Sequence, residues 1–161
     1  MGYLAGIYVI QKSRSKKLGV DFLNHFLPLR EESADEYLIP QYSDDPIHEF
    51  DNAEDLMTFL ESNPEYAQSI YWRNKDVENL NKHGMIFYTE DGNMILGISR
   101  NVDTSGNLNT ENEDECLIEM KKYFKTENGY IHYENPPADN YAEFVEIVNE
   151  VKNKTTQQQG V

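Results

Sequence analysis

The chain has 161 residues and carries 14 Lys and Arg against 29 Asp and Glu, a formal net charge of −15. That length suits one domain with a real core, and 39% apolar residues with 12% aromatics set it apart from disordered acidic chains. So much negative charge argues against direct binding to nucleic acid or to an anionic membrane, and it favours a basic protein partner.

Tyr3 to Gln11 is apolar on both faces and reads as a central strand. The apolar opening, Met1 to Ile10, is too short to span a membrane. Lys12, Arg14, Lys16 and Lys17 follow it instead of preceding it, so it does not read as a secretory signal. Gly2 is followed by Gly6 where myristoylation prefers Ser or Thr. A cytoplasmic protein is expected, in keeping with a single Cys, Cys116, which excludes an internal disulfide and a cysteine zinc cluster.

After a basic turn, Ser13 to Lys17, helical spacing runs through Val20, Phe22, Leu23, Phe26 and Leu27 up to Pro28. Glu36 to Gln41 reads as a short strand, and Tyr42 to Pro46 as a polar loop. Asp51 and Asn52 are N-cap candidates for a helix that buries Leu56, Phe59 and Leu60, carries Glu54 and Asp55 in its first turn, and ends at Asn63-Pro64. Gln68 to Arg73 is a strand. Met85–Tyr88 and Met94–Ile98 flank Glu90-Asp91-Gly92-Asn93 as a hairpin, because Gly tolerates a positive φ. Val102 to Asn109 reads as a loop. A helix over about 112–125 lines up Cys116, Leu117, Met120, Tyr123 and Phe124, with acids in its first turn and Lys121, Lys122 and Lys125 in its last. Tyr130 to Glu134 forms a strand, Pro136-Pro137 breaks it, and Asn140 with Glu143 opens a last helix as a capping box. These elements predict a single α+β domain over 1–152, built on a mixed or antiparallel sheet of about six strands with about four helices, followed by a flexible polar tail at 153–161.

Charge is unevenly spread. Residues 1–30 hold five basic side chains and one acid, whereas residues 31–72 hold twelve acids and no Lys or Arg. Glu111, Glu113, Asp114 and Glu115 form a second block. A solvated surface is the ordinary reading of such blocks. A 42-residue stretch without a countercharge, running through structured elements, also suits a basic partner. The candidate partner-binding residues are therefore Tyr42, Asp44, Asp45, Glu49, Asp51, Glu54 and Asp55, with Glu111, Glu113, Asp114 and Glu115.

Catalytic and cofactor motifs do not stand out. Gly2, Gly6 and Gly19 are too scattered for a dinucleotide loop, and there is no phosphate-cradling Gly-Lys-Ser/Thr and no Gly-x-Ser-x-Gly elbow. His25, His48, His83 and His132 lie far apart, and His48-Glu49-Phe50-Asp51 lacks the second His a metal helix needs. Cys116 falls on an apolar stripe beside acids that disfavour a thiolate, so it reads as core. The 29 acids offer too many carboxylate pairs for any one pair to be informative. No catalytic residue, cofactor or metal is expected. The rings of Tyr71-Trp72 and of Tyr130 to Tyr133 alternate across strands, leaving one face of each available, and Tyr42 is the ring expected to be most exposed.

The strings Trp72-Arg73-Asn74, Gly84 to Gly97, Gly129-Tyr130-Ile131 and Glu134-Asn135-Pro136-Pro137, in a small acidic α+β chain, resemble bacterial immunity proteins. Those are the antidotes carried beside contact-dependent and other polymorphic toxins. The resemblance covers about residues 70–140 and carries over no binding residue. It implies a non-enzymatic toxin inhibitor whose partner is a cognate toxin domain. A nuclease toxin has a basic cleft, which an acidic antidote fills. Two other readings remain open from the residues: an acidic adaptor or inhibitor of another basic cytoplasmic protein, and a hydrolase with an unconventional acidic site.

Overall fold

A computed structural model of the chain describes residues 3–103 and 109–159. β1 (Leu4–Gln11) pairs on both edges and is covered on both faces, Ile7 and Val9 in one core and Tyr8 and Ile10 in another, which is why both of its faces are apolar. α1 (Lys16–Phe26) begins earlier than the apolar spacing suggests. Ser15 caps it by accepting from Leu18 N–H at 3.1 Å, and the basic turn becomes its first turn. β2 (Arg30–Glu32), β3 (Tyr37–Ile39) and β4 (His48–Phe50) follow. α2 (Ala53–Ser62) is capped by Asn52, which accepts from Asp55 N–H at 2.9 Å. β5 (Gln68–Asn74) leads into the hairpin of β6 (Asn81–Tyr88) and β7 (Met94–Asn101), turned by Gly92 at φ +83°. α3 (Glu111–Phe124), β8 (Gly129–Tyr133) and α4 (Tyr141–Gln159) complete the order.

The fold is α+β in a single domain. Six strands form one antiparallel sheet in the order β2-β5-β6-β7-β1-β8, and β3 with β4 forms a separate two-stranded ribbon. β2 and β4 are strands that the sequence reading lacks. Each is three residues long, too short to show a period of two. Helical backbone of the last helix continues through Gln159, into the segment read from the sequence as a polar tail. The loop expected over 102–109 falls largely on residues 104–108, outside the described residues, and its flanks Asp103 and Asn109 form an antiparallel bridge.

The sheet separates two cores. On one face, Ile7, Val9, Ile70, Trp72, Ile86 and Ile98 pack under α1, α2 and α3 through Phe22, Leu23, Leu56, Leu60, Met120 and Phe124. On the other, Tyr8, Ile10, Ile95 and Tyr130 pack under α4 through Phe144 and Val148. Arg14, only 7% exposed, ties the chain segments at one end of the larger core. Its Nη1 donates to the carbonyls of Leu60 (2.7 Å) and Asn63 (3.0 Å), and its Nη2 to those of Tyr66 (2.6 Å) and Thr89 (2.7 Å). The guanidinium also lies 5.2 Å from the Tyr88 ring centroid. Two of those carbonyls belong to the last turn and C-cap of α2, which have no intrahelical donor left. Burial works to lower the Arg14 pKa, but a guanidinium stays charged in a protein.

Replacing Arg14 with Met leaves four carbonyls without their donor. The expected loss is at least about 3 kcal/mol in urea unfolding, since hydrogen bonds from a charged donor contribute about 1.5–3 kcal/mol each. Arg14→Lys keeps the charge but not the fork, and should also lose stability. An unchanged unfolding midpoint for Arg14→Met would refute the clamp.

Candidate functional site

The first acidic block sits on the β3–β4 ribbon and the start of α2. Gln68 Nε2 donates to the Leu38 carbonyl at 3.1 Å, and the Gln41 amide pairs with Ser69, accepting from its N–H at 3.0 Å. Glu32 receives both the Tyr37 hydroxyl (2.8 Å) and the Ala53 N–H (2.7 Å), fixing ribbon to helix. The ribbon's loop then projects outward. Tyr42 is 83% exposed and holds φ +65°, a region a bulky side chain seldom occupies. Ile47 is exposed nearby. Asp44, Asp45, Glu49, Asp51, Glu54 and Asp55 are all exposed. Asp55 also accepts from Asn52 Nδ2 at 3.0 Å and so serves the helix start.

The second block divides. Glu111, Asp114 and Glu115 are exposed at the first turns of α3. Glu113 is corrected: it is 0% exposed and accepts from the Tyr133 hydroxyl at 2.9 Å. Its position explains this, because Glu113, Cys116, Met120 and Phe124 recur at the spacing of one helix face, the buried one. The two blocks are not brought together. α1 stands between them, meeting Met57 of α2 at Gly19 and Phe124 of α3 at Phe22, where the ring centroids are 5.7 Å apart. Among the described residues, the ion pairs are Lys17–Asp21, His25–Glu119 and Arg73–Glu31. Of the twelve acids between residues 31 and 72, Glu31 alone is in one.

Other candidate chemistry resolves into structure. The His48 ring packs 4.7 Å from Phe59, and among the described residues no group of three or more His, Cys, Asp or Glu is placed to hold a metal ion. The Cys116 thiol is buried, which pushes its pKa up to about 12. No helix among the described residues is long and apolar enough to cross a membrane.

The sequence reading did not foresee a groove on the half of the sheet that α4 leaves open. Its floor is the outer row of β5 and β6: Ser69, Tyr71, His83, Met85 and Phe87. Opposite partners in the register place Tyr71 beside Met85, Met85 beside Gly97, and Gly97 beside Tyr8. Gly97 and Gly6 let the Tyr8 ring lie along the sheet, because a Cβ would stand 2.8 Å from that ring at Gly97 and 2.3 Å from its hydroxyl at Gly6. Burial first, then Tyr130 and Tyr71, pushes the Tyr8 pKa up to about 12, so its hydroxyl remains protonated. His83 Nδ1 lies 2.8 Å from Ser99 Oγ, and burial, then Arg73, lowers the imidazole pKa and keeps the ring neutral near pH 7. One wall is the ribbon. The other is the 134–139 segment, held by Ala138 N–H donating to the Tyr130 hydroxyl at 2.9 Å. The signal for this site was the alternation of Tyr71 with Trp72. The walls come from segments distant in sequence.

That wall connects to the hairpin turn. The Asp91 carboxylate accepts from Tyr141 N–H at 2.9 Å at the start of α4, and from the Thr89 hydroxyl. Partial burial works to raise its pKa. The hydrogen bonds from Thr89, Tyr141, its own N–H and Asn93 outweigh that and hold it below the usual carboxylate range. A carboxylate with a depressed folded pKa stabilises fully above its unfolded value and loses that contribution as pH falls through the folded one. Amide exchange at Tyr141 should therefore accelerate as pH drops below about 4, after correction for intrinsic exchange. Asp91→Asn should flatten that dependence, and an unaltered profile in the variant would exclude the role.

No family model, curated protein or solved structure matches the chain.

Proposed function

We propose that this is an immunity protein of a bacterial polymorphic toxin system, acting in the cytoplasm. It binds and neutralises a cognate toxin, a basic nuclease domain, by covering the active site with an acidic surface, and it catalyses no reaction itself. One observation carries the reading: of twelve carboxylates between residues 31 and 72, one is ion-paired within the fold. The other eleven are exposed, and seven of them, Asp44, Asp45, Glu49, Asp51, Glu54, Asp55 and Glu61, lie along the ribbon and α2. Opposed fields of this kind raise association rates by roughly 10–10³-fold at low salt. Charge alone does not hold a complex, because rim pairs are screened and contribute little. Tyr42 supplies the missing anchor, an aromatic ring projecting from the centre of the acidic loop.

The decisive experiment is co-expression with the toxin domain encoded beside this gene. Restored growth together with a purified one-to-one complex is expected, and failure of both would overturn the proposal. Within the complex, Asp44→Lys, Asp45→Lys and Glu49→Lys combined should slow association by roughly tenfold at low salt and flatten its salt dependence. Stopped-flow measurement reads the rate, and an unchanged melting temperature separates this from unfolding. Tyr42→Ala should act on dissociation instead.

A further inference from the structure

The groove on the open half of the sheet has a definite chemistry. Three adjoining hollows of about 550, 380 and 370 Å³ share Tyr71 and His83, Gln41 and Ser69, and Phe87 and Pro136, so they form one trough. Glu36, Glu90, Glu134 and Asp139 line it, and no Lys or Arg does. Its centre is aromatic: Phe87 meets Tyr71 edge-on at 5.8 Å and Tyr8 at 6.0 Å, with Met85 in the same floor. Tyr71 stays 39% exposed. Arg73, the nearest cation in the floor row, is already ion-paired with Glu31. Aromatic faces beside a carboxylate rim favour a cation on an apolar stem, which is the construction of an arginine or lysine side chain. The Pro136-Pro137 wall adds rigidity, since proline fixes φ.

We infer that this trough receives an extended, arginine- or lysine-bearing segment of the basic partner, laid across Tyr71 and Phe87 with its cationic heads at Glu36 and Glu134. The inference rests on the reading that the partner is basic. It gives that partner a second contact, on the sheet face opposite α1, α2 and α3, which adjoins the ribbon's acidic loop at Tyr42. The steering carboxylates bring the partner in, and the aromatic trough holds it.

A blocked oligoarginine peptide titrated into the isotopically labelled full chain tests this, with an oligoglutamate peptide as control. Saturable shifts at Ser69, Tyr71, Phe87 and Asn135 are expected with oligoarginine alone. Tyr71→Ala should weaken binding by about tenfold, in line with loss of an aromatic anchor. The pair Glu36→Gln and Glu134→Gln, both exposed, should weaken it without touching the core. Shifts gathered on residues 44–55 and indifferent to both variants would overturn the trough while leaving the basic-partner reading standing. No saturable binding anywhere would overturn both.

Discussion

Arg14 is the constraint on which the larger core depends. A single guanidinium donates to carbonyls of the α2 C-terminus, the turn leading into β5 and Thr89, just past the end of β6. Those three segments have no reason of their own to converge, because a helix end, a turn and a strand end each expose carbonyls that repel one another. A buried charge without partners would be prohibitive, so the arrangement is all or nothing. The Tyr88 ring closes the remaining side. Once this corner is fixed, α2 is set against α1, β5 starts in register with β6, and the β3–β4 ribbon has a helix to lean on. The C-terminal end of α2, and through that helix the ribbon that leans on it, is thus tied to a buried cation.

The two faces of the sheet follow from the same economy of side chains. Three helices cover the face carrying Ile7, Ile70, Ile86 and Ile98, and α4 covers the β1–β8 end of the other. The uncovered end keeps Tyr71, His83 and Phe87, residues that tolerate partial solvent contact. Tyr8 marks the border. Flattened over Gly6 and Gly97, it belongs to the α4 core through Tyr130 and to the trough through Phe87. A larger residue at either glycine would raise that ring and displace the trough floor.

Much of this was legible in the sequence where a local rule acts alone. Asn52 and Asn140 as caps, Gly92 as the turn and the burial of Cys116, Met120 and Phe124 on one face of α3 each depend on a few neighbouring residues and are found in place, whereas Glu143 accepts from Asp139 N–H instead of closing the box on Asn140, and Tyr123 of the same expected stripe is exposed. Tyr42 was exposed as expected, for its loop carries no apolar periodicity. Where distant segments meet, local rules gave nothing. Arg14 looked like part of a basic turn because its four acceptors lie 46 to 75 residues away. Glu113 stands among acids, which suggests surface, yet the helical spacing that buries Cys116 also reaches it. The trough was only half legible for the same reason as Arg14: the alternation of Tyr71 with Trp72 marks its floor on β5 and β6, but its walls are brought from residues 36–42 and 134–139.

The distribution of cations sharpens what the net charge means. Arg14 and Arg100 are each 7% exposed. Arg100 donates from Nε to Asn81 Oδ1 and from Nη1 to the Asn112 carbonyl, both at 2.8 Å. Asn81 in turn donates to the Phe26 carbonyl at 3.1 Å, so a strand, a helix end and a helix start are joined through one guanidinium. Arg73 is engaged by Glu31. Three of the few arginines are therefore committed to holding the fold, two of them inside it, and the surface between residues 31 and 72 is left to carboxylates. A chain under pressure only for solubility would gain from interspersing both signs, since unopposed like charges weaken the compact state. Here the fold bears that repulsion and retains cations for interior carbonyls. An external basic surface would relieve that repulsion on contact.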